Sequence, residues 1–208
     1  VTDLMRQAGL RLHVDSAGNI IGRRPGANSR LLPIGLGSHV DSVPNGGKYD
    51  GALGVLSAIE VVQTFNDLGI VTDHPLEVMV FTNEEGTSFN RWLLGSRAMA
   101  GLWEEGDFQA VDGKGIGIAR HLQAIGGDVG KVAQAQRSQG DLHAYLELHI
   151  EQGPVLYRTG TPVGVVTGIT GRAVYQVSVT GFANHAGTTP MDARQDALLA
   201  ASKLTVAV

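Results

Sequence analysis

The 208-residue sequence contains no cysteine and few charged residues. The absence of cysteine excludes disulfides, so any metal site must use histidine and carboxylate ligands. Charged residues make up 17% of the chain, whereas an average domain has about 25%. The acids and histidines that do cluster are therefore more informative here than they would be in a charge-rich sequence.

Basic charge and long apolar runs are also lacking. The formal net charge is −4, and a nucleic-acid or anionic-membrane surface would need a basic patch. No apolar run reaches the roughly 18 residues that a membrane helix needs. The start, VTDLMRQAGLRLHV, is amphipathic and charged, unlike a signal peptide,. We therefore expect a cytoplasmic protein that binds neither nucleic acid nor membrane.

Apolar runs of strand length alternate with segments of helical periodicity. The segment LHVDSAGNIIGRRPG predicts a hairpin, residues 31–38 and 76–82 are predicted to be buried strands, and residues 142–150 are a third strand candidate,. Predicted helical segments are residues 51–69, with apolar positions Leu53, Leu56, Ile59, Val62 and Phe65, residues 89–103, and residues 117–137 with a break at Gly126-Gly127. This alternation predicts an α/β fold with a central mixed, largely parallel sheet flanked by helices.

A second domain is predicted to begin near residue 170. Residues 173–181, AVYQVSVTG, alternate as a strand does,. Thr189 and Asp192 then resemble a capping box, with Pro190 at the first helical position,. We therefore predict domains at residues 1–169 and 170–208. Because the chain begins with Val1 and ends within the apolar pattern ALLAASKLTVAV, we expect it to be a fragment of a longer protein.

Histidines and acids occur where three predicted strands end. The residues concerned are His39 and Asp41, Glu84 and Glu85, and His149 and Glu151, with Asp50 in a Gly-rich turn before a helix. The carboxyl ends of strands in an open α/β sheet meet at one edge, where ligands bind. Each group also has a structural alternative: a hydrogen-bonded histidine, a helix cap at Asp50, or a solvated turn at Glu84-Glu85. Their coincidence at one edge favours a site.

These side chains suit a two-metal hydrolase. Two adjacent divalent ions need a shared carboxylate and flanking histidine and carboxylate ligands, with a further carboxylate as general base. Asp41 is placed to hold the far imidazole nitrogen of His39. Glu147 and Glu151 share a strand face with His149, so one of them is a candidate to support it.

Four motifs together resemble a known family: GSHVDSVPNGGKYDGALGVLSAIE, FTNEEGTSF, ELHIEQGPVL and GFANHAGTTPMDARQDAL. They are similar to the dinuclear-metal amidohydrolases that include N-carbamoyl-L-amino-acid hydrolase, β-ureidopropionase and allantoate amidohydrolase. These belong to the wider aminoacylase and carboxypeptidase-type metallopeptidase superfamily. The resemblance implies a zinc-exopeptidase-like catalytic domain, followed by the first strand and helix of a smaller ferredoxin-like domain through which the family forms homodimers.

The resemblance also implies a role for each matching residue. One divalent ion would be bound by His39, Asp50 and His149, and a second by the shared Asp50 and by Glu85. Zinc is the first candidate, with manganese, cobalt and nickel as alternatives. Glu84 would be the general base, Gln152 would contact substrate, and His185, assisted by Asn184, would stabilise an oxyanion. A turn or capping role is the alternative for His185, and the family's remaining histidine ligand has no match in this chain.

The predicted activity is hydrolysis of the carbamoyl C–N bond of an N-carbamoyl-L-amino acid. Allantoate and β-ureidopropionate are alternative ureido substrates, and a peptidase or aminoacylase of the wider superfamily comes next. A non-catalytic, metal-binding and dimerising scaffold is the alternative from another class. We expect the fragment alone to be inactive. The remaining histidines, His13, His74, His121 and His143, are predicted to be structural or solvent-facing.

Overall fold

The computed structural model describes residues 1–171 and 173–208. These form two compact units, Val1–Thr159 and Gly160–Val208. The boundary predicted after residue 169 lies inside the second unit. In the described residues, no helix has both the length and the apolar character needed to span a membrane.

The first unit contains a five-stranded mixed sheet. Its strands are β1 (Arg11–Val14), β2 (Ile20–Arg24), β3 (Ile34–His39), β4 (Leu76–Phe81) and β5 (Ala144–Leu146). The strand order is β1-β2-β4-β3-β5, with parallel pairing of β3 to β4 and β5, and antiparallel pairing of β2 to β1 and β4. This confirms the predicted mixed α/β sheet and the hairpin. The parallel strands β3 and β4 bring their carboxyl ends, His39 and Phe81, into register.

Helices cover both faces of this sheet. They are α1 (Thr2–Gln7), α2 (Ala52–Asp67), α3 (Leu94–Met99), α4 (Glu105–Phe108), α5 (Ile118–Ala124) and α6 (Val155–Thr159), with a 3₁₀ helix, η1, at Val129–Ala135. The buried stripe of α2 packs against β4 through Val55, Ala58, Ile59 and Val62. On the other face, Met99 of α3 packs on Met79 of β4. This burial of apolar surface holds the strands that carry the site.

Helix α2 confirms the prediction for residues 51–69, with two differences in detail. Its buried stripe includes Val55 and Ala58, whereas Leu56 is exposed. Gly69, at a φ of 64°, follows the helix as predicted,. The buried face also includes Gly54, where a Cβ would clash with the carbonyl oxygen of Leu148 and the side chain of Ser38.

Two first-unit predictions, at residues 89–103 and 142–150, were too long. Residues 89–103 hold only the short helix α3, because Asn90 and Leu93 adopt positive φ and break the helical path,. Residues 117–137 form α5 and η1, with the predicted break between them at Gly126, which has a φ of 94°. The strand predicted at 142–150 is only three residues long and exposed, because β5 pairs with β3 alone at the sheet edge.

The second unit differs more from its prediction. No strand forms over the described residues 173–181, since a strand requires a hydrogen-bonded neighbour,. The predicted helix start at Thr189-Pro190 is wrong: residues Met191–Ala193 form one 3₁₀ turn, η2. The helix α7 begins later, at Ala197–Ala207, because the side chain of Asp196 accepts hydrogen bonds from the backbone N–H groups of Leu198 and Leu199,.

Candidate active site

His39 ends β3 and is almost fully buried, with 3% of its side chain exposed. Its Nδ1 lies 2.9 Å from the backbone carbonyl oxygen of Asp41, to which it can donate a hydrogen bond. Nε2 then faces the carboxylates of Asp50 and Glu84, at 4.0 Å and 3.5 Å. Burial alone would lower the pKa of His39, but its hydrogen bonds to Asp41 and the nearby charge of Glu84 raise it to about 9. The negative surroundings also favour a cation at Nε2.

Gly51 lies directly against the His39 ring. It precedes α2 with a φ of 68°, a conformation that strongly favours glycine,. A Cβ at this position would clash with three atoms of the imidazole of His39. One α2 turn later, Gly54 allows the helix to approach the carbonyl oxygen of Leu148 and the side chain of Ser38. These two glycines set the distance between the start of α2 and the ends of the strands.

Asp41 connects β3 with the loop that follows β4. Its two carboxylate oxygens accept hydrogen bonds from the backbone N–H groups of Glu84 and Glu85, at 3.2 Å and 3.0 Å. Its carboxylate lies 3.6 Å from Nδ1 of His39, farther than its own backbone carbonyl oxygen. Burial would raise the pKa of Asp41, but the bonds from His39 and both glutamate N–H groups lower it. Asp41 therefore orients both elements.

Glu84 and Glu85 occupy a sharply turned loop between Asn83 and Gly86, which both have positive φ. The carbonyl oxygen of Glu84 accepts from the N–H of Leu93, and Asn83 donates from its side chain to the carbonyl of Arg91. Burial raises the pKa of Glu84; the charge of His39 opposes this, and neighbouring carboxylates reinforce it. A half-buried carboxyl with a raised pKa is a better proton acceptor than one with the usual pKa.

Asp50 joins His149 and Gln152, which follow β5. Oδ1 of Asp50 lies 3.1 Å from Nε2 of His149, and Oδ2 accepts from Nε2 of Gln152 at 3.0 Å. Nδ1 of His149 contacts the carbonyl oxygen of Ile150 at 2.9 Å, so Nε2 is the nitrogen directed toward Asp50,. The residue at the N-cap of α2 is Gly51, with no side-chain cap, so Asp50 does not act as the helix cap that was its alternative.

Two three-residue groups in the described residues have the composition of a metal site. His39, Asp50 and His149 form one group, and His39, Glu84 and Glu85 the other; in each, the potential ligand atoms lie within 4.8 Å of one another. Imidazole nitrogens and carboxylate oxygens suit zinc and similar divalent ions. The donor sets are therefore compatible with divalent metal binding. His39 is common to both groups, whereas the family resemblance implied that Asp50 is the shared ligand.

Comparison with known proteins identifies the family. Residues 35–207 match the model of peptidase family M20/M25/M40. The chain belongs to this family. Over 204 residues it is 48% identical to an N-carbamoyl-L-amino acid amidohydrolase of Geobacillus stearothermophilus, covering 98% of this chain and 50% of the relative. Over 206 residues it is 39% identical to an allantoate deiminase of Arabidopsis thaliana, covering 97% of this chain and 39% of that protein.

A solved structure agrees with this assignment to the M20/M25/M40 family. The crystal structure of a hydantoinase/carbamoylase family amidase from Burkholderia ambifaria superposes with a TM-score of 0.79 at 40% identity, covering 99% of this chain and 49% of that one. The resemblance seen in the four sequence motifs is thus confirmed. The chain spans about half the length of the curated relatives it matches.

In the second unit of this M20/M25/M40 chain, Asn184 and His185 line a cleft. Its walls are residues 181–186 and 194–198. Nδ1 of His185 accepts hydrogen bonds from the backbone N–H groups of Gly187 and Thr188, at 3.1 Å and 3.2 Å. His185 therefore stabilises a turn through Nδ1, which is the structural role that was considered as its alternative. The oxyanion-stabilising role that the resemblance implies for His185 would therefore have to use its other nitrogen, Nε2.

Several supporting residues of this M20/M25/M40 site were missed or left open by the sequence. Glu147 accepts from the Ser38 hydroxyl at 2.5 Å and from the Tyr145 hydroxyl at 3.1 Å, and so connects β5 with the end of β3. The alternation of Glu147 with His149 was the signal for this contact. Glu151 instead accepts from the N–H groups of Leu156 and Tyr157 at the start of α6.

Asn19 is another residue that sequence reasoning missed. It is fully buried, accepts from the N–H of Thr82 at 3.0 Å, and donates to the carbonyl of Gly95 at 3.0 Å. It thereby fixes the backbone just before Glu84. Of the histidines predicted to be structural, His74 contacts the carbonyl oxygen of Leu32 and His121 contacts Asp112.

Proposed function

We propose that the protein is a metal-dependent amidohydrolase that cleaves the carbamoyl C–N bond of N-carbamoyl-L-amino acids. The observation that carries the proposal is the position of Glu84, 3.5 Å from Nε2 of His39, the residue that is common to both candidate metal-ligand groups. A relative of this chain is named for this substrate class.

His39, Asp50 and His149 would bind one divalent ion, and Asp50 and Glu85 would contribute to a second. Zinc is the first choice and manganese, cobalt and nickel are alternatives, since all accept imidazole and carboxylate ligands. When bound, such ions supply Lewis-acid activation of the water and the scissile carbonyl. Asp41 serves this arrangement by orienting His39 and the loop that carries Glu84 and Glu85.

Glu84 acts as the general base. It takes a proton from the attacking water, the oxygen of the water bonds to the ureido carbonyl carbon, and Glu84 then gives the proton to the leaving nitrogen as the C–N bond breaks. The amino acid departs with this nitrogen, and the carbamate that is left breaks its remaining C–N bond to give carbon dioxide and ammonia. The resemblance implies that Gln152 and Asn184 contact substrate. It also implies that His185 reaches from the second domain toward the active site of a dimer partner, where its Nε2–H would donate a hydrogen bond to the carbonyl oxygen as it becomes negative.

The test is Glu84→Gln in the full-length protein, assayed on a panel of N-carbamoyl-L-amino acids after metal reconstitution. Gln keeps the size of the side chain but cannot act as the base, so we expect turnover to fall by at least about 100-fold while the metal content stays unchanged. The control is Glu60→Gln, an exposed residue of α2. Wild-type turnover by Glu84→Gln on every ureido substrate would contradict the proposal.

Allantoate is the second candidate substrate, because one relative is named allantoate deiminase; β-ureidopropionate is a further one. Adding these compounds to the substrate panel distinguishes the candidates by their kcat/KM values. A non-catalytic metal-binding scaffold is disfavoured, because it would not need a carboxylate with a raised pKa beside its ligands. Metal binding without hydrolysis of any ureido substrate would favour the scaffold.

We also propose that residues 170–208 begin the domain through which the protein forms a homodimer in the cytoplasm. The proposal is supported by the sequence change near residue 170 and by the resemblance of the GFANHAGTTPMDARQDAL motif. A monomeric full-length protein in analytical ultracentrifugation would overturn the dimer proposal.

A further inference from the structure

The turn that follows His185 determines which nitrogen of its neutral imidazole carries the proton. Backbone N–H groups of Gly187 and Thr188 both point at Nδ1. A nitrogen that accepts two hydrogen bonds carries no proton, so the neutral ring has its proton on Nε2. The only donor that the neutral ring can offer a ligand is therefore Nε2–H.

Arg194 holds the same turn from the other side. Its Nε donates to the carbonyl oxygen of Thr189 at 3.0 Å, and its Nη2 donates to the carbonyl oxygen of Ala186 at 2.5 Å. These carbonyls belong to the residues on either side of the Gly187-Thr188 pair. A guanidinium is a rigid planar fork, so it fixes the distance and angle between two acceptors better than a single donor does.

Further backbone contacts close this segment. The N–H of Thr189 donates to the carbonyl oxygen of His185 at 3.2 Å, and the N–H of Phe182 donates to that of Gln195 at 2.9 Å. Residues 185–189 are thus held at their ends by backbone bonds and across their middle by Arg194. The half-buried guanidinium of Arg194 donates its hydrogen bonds to backbone carbonyl groups of this turn.

We propose that Arg194 is a positioning residue that acts through His185. By binding the carbonyls of Ala186 and Thr189, it keeps the N–H groups of Gly187 and Thr188 directed at Nδ1 and so aims Nε2–H of His185 at its acceptor. The proposal rests on the proposed function, in which that acceptor is the substrate carbonyl oxygen.

A double-mutant cycle in the metal-reconstituted, full-length protein tests this dependence. Arg194→Gln should lower kcat by about 10-fold to 100-fold and leave KM nearly unchanged, because a displaced donor is lost mainly from the transition state. In a His185→Ala background, Arg194→Gln should change kcat by less than about twofold. Lys203→Gln, which changes an exposed residue of α7, is the control and should have the kcat and KM of wild type.

Nuclear magnetic resonance provides a readout independent of activity. In wild type, we expect the Nδ1 shift of His185 to be that of an unprotonated acceptor and the Gly187 and Thr188 amides to exchange slowly with solvent. Arg194→Gln should speed that exchange and move the Nδ1 resonance. Arg194→Lys, which can bind one carbonyl at a time, should be intermediate and serves in its place if Arg194→Gln does not fold.

The outcomes separate the two proposals. Equal losses of kcat in both backgrounds, or unchanged exchange and Nδ1 shift in the Arg194 variants, would overturn the positioning role. Unchanged kcat in His185→Ala alone would instead overturn the part of the proposed function assigned to His185, while the magnetic-resonance result would still decide what Arg194 does to the turn.

Discussion

At the scale of single residues, Asp41 shows how one short side chain can organise a site. Its carboxylate accepts the N–H groups of Glu84 and Glu85, and its backbone carbonyl contacts the His39 ring. The two consecutive glutamates are thereby attached through their backbone and keep both side chains available. This arrangement is compatible with the proposed roles, in which Glu84 is the general base and Glu85 is a metal ligand.

Gly51 is the residue whose replacement should most directly disturb His39. Gly51→Ala places a Cβ against the imidazole at a φ of 68°. We expect the free energy of unfolding to fall by more than about 1 kcal/mol and the metal affinity to fall by about 10-fold or more. Urea unfolding and metal titration of the full-length protein measure the two effects.

Gly47→Ala is the matched control for that change. Gly47 lies in the same loop, but a Cβ there would have no other atom within 4 Å. Its replacement should therefore leave both quantities near the wild-type values. If Gly51→Ala and Gly47→Ala behave alike, the close approach of Gly51 to His39 does not matter for the site.

At the scale of elements, α7 begins at a different residue from the one that the sequence pattern predicted. Asp196→Ala removes the side chain that accepts from Leu198 and Leu199, so we expect the helix to lose about 1 kcal/mol of stability. Hydrogen exchange of the α7 amides measures this loss. Asp192→Ala, at the position first predicted to complete a capping box, should leave that exchange unchanged. If Asp192→Ala speeds the exchange and Asp196→Ala does not, the helix begins at Thr189-Pro190, as the sequence predicted.

The elements also show what the sequence could and could not predict. The buried runs that became β3 and β4 were predicted, and with them the positions of His39 and Glu84 at adjacent strand ends. Alternation at residues 173–181 predicted a strand wrongly, because period-two patterning describes side-chain faces and not the neighbour that a strand needs. The contacts of Gly51 with His39 and of Gln152 with Asp50 were not predictable, because they join segments distant in sequence.

At the scale of the whole molecule, the candidate metal ligands come from separate parts of the first unit: the end of β3, the loop after β4, the turn before α2 and the segment after β5. Folding is what brings them together, so a metal that binds them binds the folded chain and stabilises it. At a free metal concentration 100 times Kd, the added stability is about 2.7 kcal/mol. Removing metal from the full-length protein with a chelator should therefore lower Tm, and adding zinc back should restore it.

Two histidine variants test whether that stabilisation arises at this site. His149→Ala removes the candidate ligand whose Nε2 lies 3.1 Å from Oδ1 of Asp50, and it should abolish most of the metal-dependent rise in Tm. His13→Ala, on the exposed side of β1, should keep the full rise. Because both variants lose one imidazole, the comparison cancels nonspecific metal binding to surface histidines. A rise in Tm that survives His149→Ala intact would mean that the stabilising metal binds elsewhere in the protein.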